Sequence, residues 1–215
     1  EYPMICFNGG YVIVFEGNSA IPVVMDSVKL PLSIGRTILE LSRGTNIHVS
    51  FFVEDEWYTA LNDQWTEREA RITKVSPTLV SYGEVMDRLA TTTTGIHKIM
   101  CMGPEAEIGM MYTALQESFF HEIHAYRSKN TYLEIAPKAI SKASALSVVM
   151  NKMFNTDLSE VMAFGDNYND VELIRAVGHG IAVGNAITEV KAVADEITLQ
   201  GKEDGVAIAL EKYFL

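Results

Sequence analysis

Residues 161–174 read Val-Met-Ala-Phe-Gly-Asp-Asn-Tyr-Asn-Asp-Val-Glu-Leu-Ile, and no other stretch constrains the fold as tightly. Val161 to Phe164 form a short apolar run, the pattern of a strand buried on both faces in a parallel sheet. Gly165 interrupts it, and a polar turn follows that carries Asp166, Asn169 and Asp170. Val171 to Ala176 then resumes with helical spacing. Such a turn lies at the carboxyl end of a strand, where open α/β sheets bind their ligands. Two carboxylates and an amide on a short loop are oxygen donors suited to a hard cation such as Mg²⁺, which keeps several waters and binds phosphates beside one or two carboxylates. An acidic turn whose Asp merely caps the next helix fits the same spacing equally well.

A second stretch bears on that choice. Residues 131–150 contain a strand-like run, Tyr132 to Ile135, closed by Pro137, and then Ser141 as the N-cap of a helix running to about Phe154. Lys142 therefore sits in the first helical turn. A cation there opposes the helix dipole unless an anion binds nearby. Helix N-termini do bind phosphate through their free N–H groups, and a lysine adds a compact positive charge. On its own, Lys142 reads first as a solvated surface lysine.

Taken together, the motifs resemble a known family. Leu-Glu-Ile-x-Pro-x-x-x-Ser-Lys (133–142), Gly-Asp-x-x-Asn-Asp (165–170) and Gly-Ile-Ala-Val-Gly-Asn-Ala (180–186) are similar to the Cof-type, subfamily IIB sugar-phosphate phosphatases of the haloacid dehalogenase superfamily. Asp195-Glu196-Ile197-Thr198 and Glu203-Asp204-Gly205-Val206-Ala207 continue the pattern in order. Near the other end, Asn8-Gly9-Gly10 resembles the Asn-Gly-Ala at which such chains pass from core to cap. The resemblance implies an α/β fold: a Rossmann-like core with a mainly parallel sheet, and an inserted α+β cap of the C2B type. The core is expected at 1–10 and 131–215, and the cap at 11–130.

The resemblance also implies the chemistry. A Mg²⁺-dependent phosphatase of this family hydrolyses phosphomonoesters of small metabolites, sugar phosphates by default, through an aspartyl-phosphate formed by displacement of the leaving alcohol. Asp166 would hold Mg²⁺, and Lys142 would offset charge on the phosphoryl group. Asn169 would hydrogen-bond the phosphate or orient Lys142, and Asp170 would fix the turn and pair with Lys142 behind the metal. The family's nucleophile and its general acid/base lie in an Asp-x-Asp-Gly-Thr strand, and that signature does not occur in the 215 residues. The chain opening at Glu1 is accordingly read as a fragment of an active enzyme, lacking at least one βαβ unit of roughly 30 residues. By itself it is expected to be inactive, and intact-mass measurement with the parent sequence tests the reading. A phosphotransferase or phosphomutase of the same superfamily, or a non-catalytic phospho-ligand binder, would carry the same motifs.

Composition bears on location and partners. The net charge of −11 argues against a nucleic-acid surface, which needs a basic patch. No run reaches the 18 or so apolar residues of a membrane span. Cys6 and Cys101 both sit in apolar segments and read as reduced core thiols, which points to a cytoplasmic protein. A monomer or weak homodimer is expected. Within 11–130, Leu30 to Ser42, Tyr82 to Ala90 and Pro104 to Phe119 read as helices. The alternation of Ile47, Val49, Phe51 and Val53 with polar residues predicts a half-buried strand, with Trp57 to Ala60 pairing to it. Met100, Met102, Met110 and Met111 are expected to fill the cap core. Ser141, Ser144 and Ser147 have no histidine and acid to pair with, so serine nucleophile chemistry is not supported.

Overall fold

The computed structural model describes residues 2–92 and 95–215, in two compact units. One comprises residues up to 26 together with 140–215, the other residues 27–139. Glu1, the expected start of the core, lies outside the described residues. Both boundaries differ from the expected 10/11 and 130/131, and strand pairing is the reason. The first unit opens with β1 (Pro3–Cys6) and β2 (Tyr11–Val14), paired antiparallel with Cys6 opposite Tyr11, and β3 (Val23–Ser27) follows beside β2. The Tyr-Val-Ile-Val run that seemed to begin the insertion is thus buried in the first unit's own sheet.

The second unit runs β4 (Leu30–Pro31), α1 (Leu32–Leu41), β5 (His48–Val53), β6 (Glu56–Thr59), α2 (Gln64–Thr73), β7 (Thr78–Leu79), α3 (Tyr82–Thr92), β8 (Gly95–Ile96), β9 (Lys98–Met102), α4 (Glu105–Phe119), β10 (Ile123–Lys129) and β11 (Tyr132–Pro137). Its main sheet has the order β10-β11-β9-β5-β6-β7, antiparallel except between β6 and β7. Because β11 pairs with both β10 and β9, residues 132–137 belong to this unit and not to the one that follows.

One face of the sheet buries Val49, Phe51, Val53, Ile99, Cys101, Leu133 and Ile135 against α1, α3 and α4. The other face, expected to meet water, is also covered in part. Helix α2, too polar overall to be read from the sequence, packs Trp65 beside Met100, Met102 and Tyr132. Asp63 caps α2 by accepting from the Trp65 and Thr66 N–H groups. Of the methionines expected in the core, Met100, Met102 and Met111 are buried, but Met110 is 65% exposed because it lies on the far side of α4.

Two buried histidines belong to this unit. Nδ1 of His97 accepts from the Glu54 N–H at 2.9 Å, and Nε2 faces the Ser27 hydroxyl at 3.0 Å. Burial, with a smaller contribution from the Lys29 charge, lowers the His97 pKa from 6.5 to about 4. The unfolded chain therefore binds a proton that the folded chain refuses between pH 6.5 and 4. Stability is complete above pH 6.5 and falls as pH drops toward 4, by about 1.4 kcal/mol per unit. Urea midpoints are expected to hold between pH 7.5 and 6.5 and to fall from there to pH 4.5, less steeply in His97→Gln. Parallel profiles for the two proteins would contradict the assignment.

The chain returns to the first unit as α5 (Lys142–Val149), β12 (Met162–Gly165), α6 (Val171–Ala176), β13 (His179–Ala182), α7 (Thr188–Lys191), β14 (Glu196–Ile197) and α8 (Gly205–Phe214). The sheet β12-β13-β14 is parallel, with Gly165 opposite Ala182. Its core joins Ala163, Ile174, Val177, Ala182, Val183 and Val190. Ala145 and Val149 of α5 pack on Val12. The helix does run to Phe154, its last five residues forming a π-turn that ends at left-handed Asn155.

Candidate active site

The site grows from the carboxyl end of β12 and the start of α5. Ser141 is the N-cap of α5: its hydroxyl accepts from the Ser144 N–H, and the Ser144 hydroxyl accepts in return from the Ser141 N–H. This reciprocal cap places Lys142 at the first helical position. After β12 the chain turns sharply at Gly165, whose hypothetical Cβ would meet the Asp170 Cβ at 2.7 Å and Ile174 Cγ1 at 2.9 Å. Only glycine lets the loop fold back this closely.

Asp170 organises the loop. One oxygen, Oδ2, accepts from the backbone N–H groups of Asp166 at 2.9 Å and Asn167 at 3.0 Å. The other, Oδ1, accepts from Lys142 Nζ at 2.6 Å. The side chain of Asp170 is 5% exposed and that of Lys142 33%, so the pair lies at the floor of the site with the ammonium partly open. Burial pushes the Asp170 carboxyl up. The ammonium and the two N–H groups outweigh it, and the pKa lies below the usual carboxylate range. The structure thus brings Lys142 and Asp170 together across 28 residues.

Asp166 is exposed, and among the described residues its carboxylate has no hydrogen bond or ion pair. Its backbone is held at both ends: the N–H by Asp170, the carbonyl by the Ile187 N–H at 3.0 Å. That last donor directly follows the Gly180–Ala186 stretch. Asp195 accepts from the Gly180 N–H at 2.8 Å and so braces the start of β13.

Asn169 behaves differently from one of its two expected roles. Its Nδ2 donates to Asn8 Oδ1 at 3.0 Å, and among the described residues it makes no hydrogen bond to Lys142. Asn8 and Lys142 also line one cleft of ≈ 330 Å³ with Ile5, Phe7, Leu146 and Leu173. Sequence reasoning had placed Asn8 only at a passage between domains. Its presence at the site had a signal, the Asn-Gly-Gly turn, but nothing that said what the side chain touches.

Fitness for a metal follows from these contacts. Asp170 has no oxygen to spare. Asp166 offers an open carboxylate, and among the described residues no three His, Cys, Asp or Glu side chains cluster to hold an ion. A single carboxylate donor suits Mg²⁺, which retains waters and takes further oxygens from phosphate, and does not suit a closed structural site of the zinc kind.

One Ser–His–Asp arrangement does occur, in the second unit, where sequence reasoning had not looked for it. His48 Nε2 lies 2.9 Å from Ser50 Oγ, and His48 Nδ1 lies 3.0 Å from Asp63 Oδ2. Ser50 is fully buried and also accepts from Trp57 Nε1 at 2.9 Å. A hydroxyl closed off from substrate cannot act as a nucleophile, so the network is structural. It is what allows polar residues of β5 to be buried beneath α2.

Comparison with known proteins bears on the first unit's site and on the fold. Residues 1–210 match the family described as haloacid dehalogenase-like hydrolase. An HMP-PP phosphatase of Yersinia enterocolitica is 27% identical over 95% of this chain and 74% of its own length. A haloacid dehalogenase-like hydrolase from Bacteroides thetaiotaomicron has a similar structure, with a TM-score of 0.80, 31% identity, and coverage of 96% of this chain and 74% of that one. The subclass IIB sugar phosphatase BT4131 shares the fold, with a TM-score of 0.75 at 21% identity, over 98% of this chain and 75% of its own. The chain spans 60% of the length of a Haemophilus influenzae relative that is 32% identical over 77% of this chain. No helix among the described residues is long and apolar enough to cross a membrane.

Proposed function

Since the chain belongs to the haloacid dehalogenase-like hydrolase family, we propose that residues Lys142, Asp166, Asn169 and Asp170 form the phosphate site of a phosphatase acting on phosphomonoesters of small metabolites. The Lys142–Asp170 pair carries the reading. A buried carboxylate pins a partly open ammonium at the end of a parallel strand, beside an uncommitted carboxylate on the same loop. That arrangement favours a dianionic group over a neutral one.

Lys142 presents its charge to the phosphoryl oxygens, and Asp170 keeps it in place by taking one of its three N–H donors. Because Asp170 is already anchored to two backbone N–H groups, the ammonium cannot drift when substrate leaves. This is stabilisation by charges aligned in advance, the main source of rate in phosphoryl transfer. Asn169 adds a neutral donor to the same group. Asp166 would hold Mg²⁺, which when bound neutralises charge on the phosphoryl oxygens. The nucleophile is expected from the family's Asp-x-Asp-Gly-Thr strand, so turnover is a property of an enzyme that joins that strand to this chain. Two free thiols, both with pKa values raised by burial, fit a reducing cytoplasm.

An enzyme carrying both parts, screened with Mg²⁺ against sugar phosphates and phosphorylated cofactors, is expected to release inorganic phosphate from at least one class. Removal of Mg²⁺ by chelation should stop the release. Transfer of phosphate between sugars with no net release would identify a phosphotransferase instead.

A further inference from the structure

Phe7, Asn8 and Gly9 form a turn in which three consecutive residues have positive φ: 52°, 59° and 109°. Side chains with a Cβ seldom occupy this region, asparagine being the least disfavoured, and such conformations persist only where the surroundings enforce them. Two contacts enforce this one. Gly9 sits against the start of α5 so closely that a Cβ would lie 2.4 Å from the Ser141 carbonyl oxygen. Asn8 reaches the acidic loop, where its Oδ1 accepts from Asn169 Nδ2 at 3.0 Å, a partner 161 positions along the chain. The turn therefore touches the residue before Lys142 on one side and a phosphate-site residue on the other. Asn8 and Lys142 line the same cleft.

We propose that Asn8 is a positioning residue of the phosphate site. An asparagine amide has two N–H donors and one carbonyl. By accepting one N–H of Asn169, Asn8 decides which end of that amide faces inward, and leaves the second N–H to donate to a phosphoryl oxygen. A flipped Asn169 would aim its carbonyl at the anion and repel it. The left-handed turn exists to carry the Asn8 side chain to that point. This rests on the phosphate-site reading of Asn169, and it assigns to Asn8 a role that acts only through Asn169.

The variants separate backbone from side chain. Asn8→Gly deletes the amide yet suits the left-handed backbone, so the fold should survive with a melting temperature within a few degrees of the parent. Asn8→Asp keeps the acceptor. In ¹H–¹⁵N spectra of the 215-residue chain, the Asn169 side-chain N–H signals should move to solvent-exposed positions in Asn8→Gly and stay in place in Asn8→Asp. In the enzyme joined to the nucleophile strand, Asn8→Gly should lower kcat about tenfold to a hundredfold, as displacement of a positioned group does. Asn8→Asp should recover most of kcat while raising KM, since it adds a negative charge near the anion.

A double-mutant cycle completes the test: in an Asn169→Ala background, Asn8→Gly should cost nothing more in kcat. Unchanged Asn169 signals in Asn8→Gly, or additive losses in the cycle, would overturn the proposal. Should Asn8→Gly fail to fold, Asn8→Ser with the same cycle decides it by the same criterion. Failure of the phosphatase reading looks different: Lys142 and Asp166 variants would keep full turnover while the spectral link between Asn8 and Asn169 remained.

Discussion

Replacing Lys142 with alanine is expected to lower turnover by 10²–10³, on the order of 3–4 kcal/mol, in the enzyme that joins this chain to the nucleophile strand. The reason lies in the geometry of the pair. The ammonium is the cation that the loop holds by a buried carboxylate, 2.6 Å away. On the proposed reading, its removal would deprive the phosphoryl group of a fixed charge, more in the transition state than in the ground state, so kcat and kcat/KM should both fall. Asp170 keeps its two backbone N–H donors in this variant, so the loop should persist. With the ammonium gone, one of the groups that lower it is lost and the Asp170 carboxyl should titrate higher than in the parent. Lys142→Arg should rescue little, because a planar guanidinium cannot occupy the space of a point-like ammonium beside Asp170. Steady-state kinetics with a good substrate check this, and retention of more than about a tenth of kcat in Lys142→Ala would refute the role, given the loss expected for such a group.

The second large effect is expected at Asp166, where stability and activity should come apart. Its side chain is exposed and makes no hydrogen bond among the described residues, while its backbone makes two. Asp166→Ala leaves both backbone bonds in place, so the change in unfolding free energy should stay within about 0.5 kcal/mol. Turnover should nevertheless fall 10²–10³ if, as proposed, the uncommitted carboxylate holds Mg²⁺. Asp166→Asn should behave similarly, since it retains an oxygen but not the charge that favours a divalent ion. Two measurements together make the test: thermal unfolding of the 215-residue chain, and Mg²⁺ titration of activity in the joined enzyme. A variant that unfolds readily, or one that keeps the parent's Mg²⁺ dependence and rate, would show that Asp166 serves the turn and not the metal.

Much of the first unit was legible because its signals are local. The strand at 162–165, the break at Gly165, the Ser141 cap and the placement of Lys142 in the first turn of α5 each depend on residues within four positions of one another. Short-range chemistry of this kind is written in consecutive residues: caps satisfy the next turn's N–H groups, and glycine permits the next close approach. The same is true of the amphipathic helices α1, α3 and α4, whose buried residues repeat at helical spacing. Helix α2 escaped because it is polar overall, with Glu67, Arg68, Glu69 and Arg71 in ten residues and only Thr66 fully buried, so too few apolar residues marked its inner face.

What the order of residues determined by itself was most of the elements and the chemical inventory of two separate turns: two carboxylates and an amide after β12, and a cation at the start of α5. Tertiary structure decided which of them are committed and which are open. Asp170 became the buried anchor of Lys142 and Asp166 the free carboxylate, although both are aspartates of one loop, because the fold over Gly165 turns Asp170 inward. Docking of distant segments likewise set Asn169 against Asn8, buried His48 beneath α2, and drew the unit boundaries at 26/27 and 139/140. Such contacts arise only when separate elements pack, and side-chain hydrogen bonds across that packing leave no periodic trace along the chain.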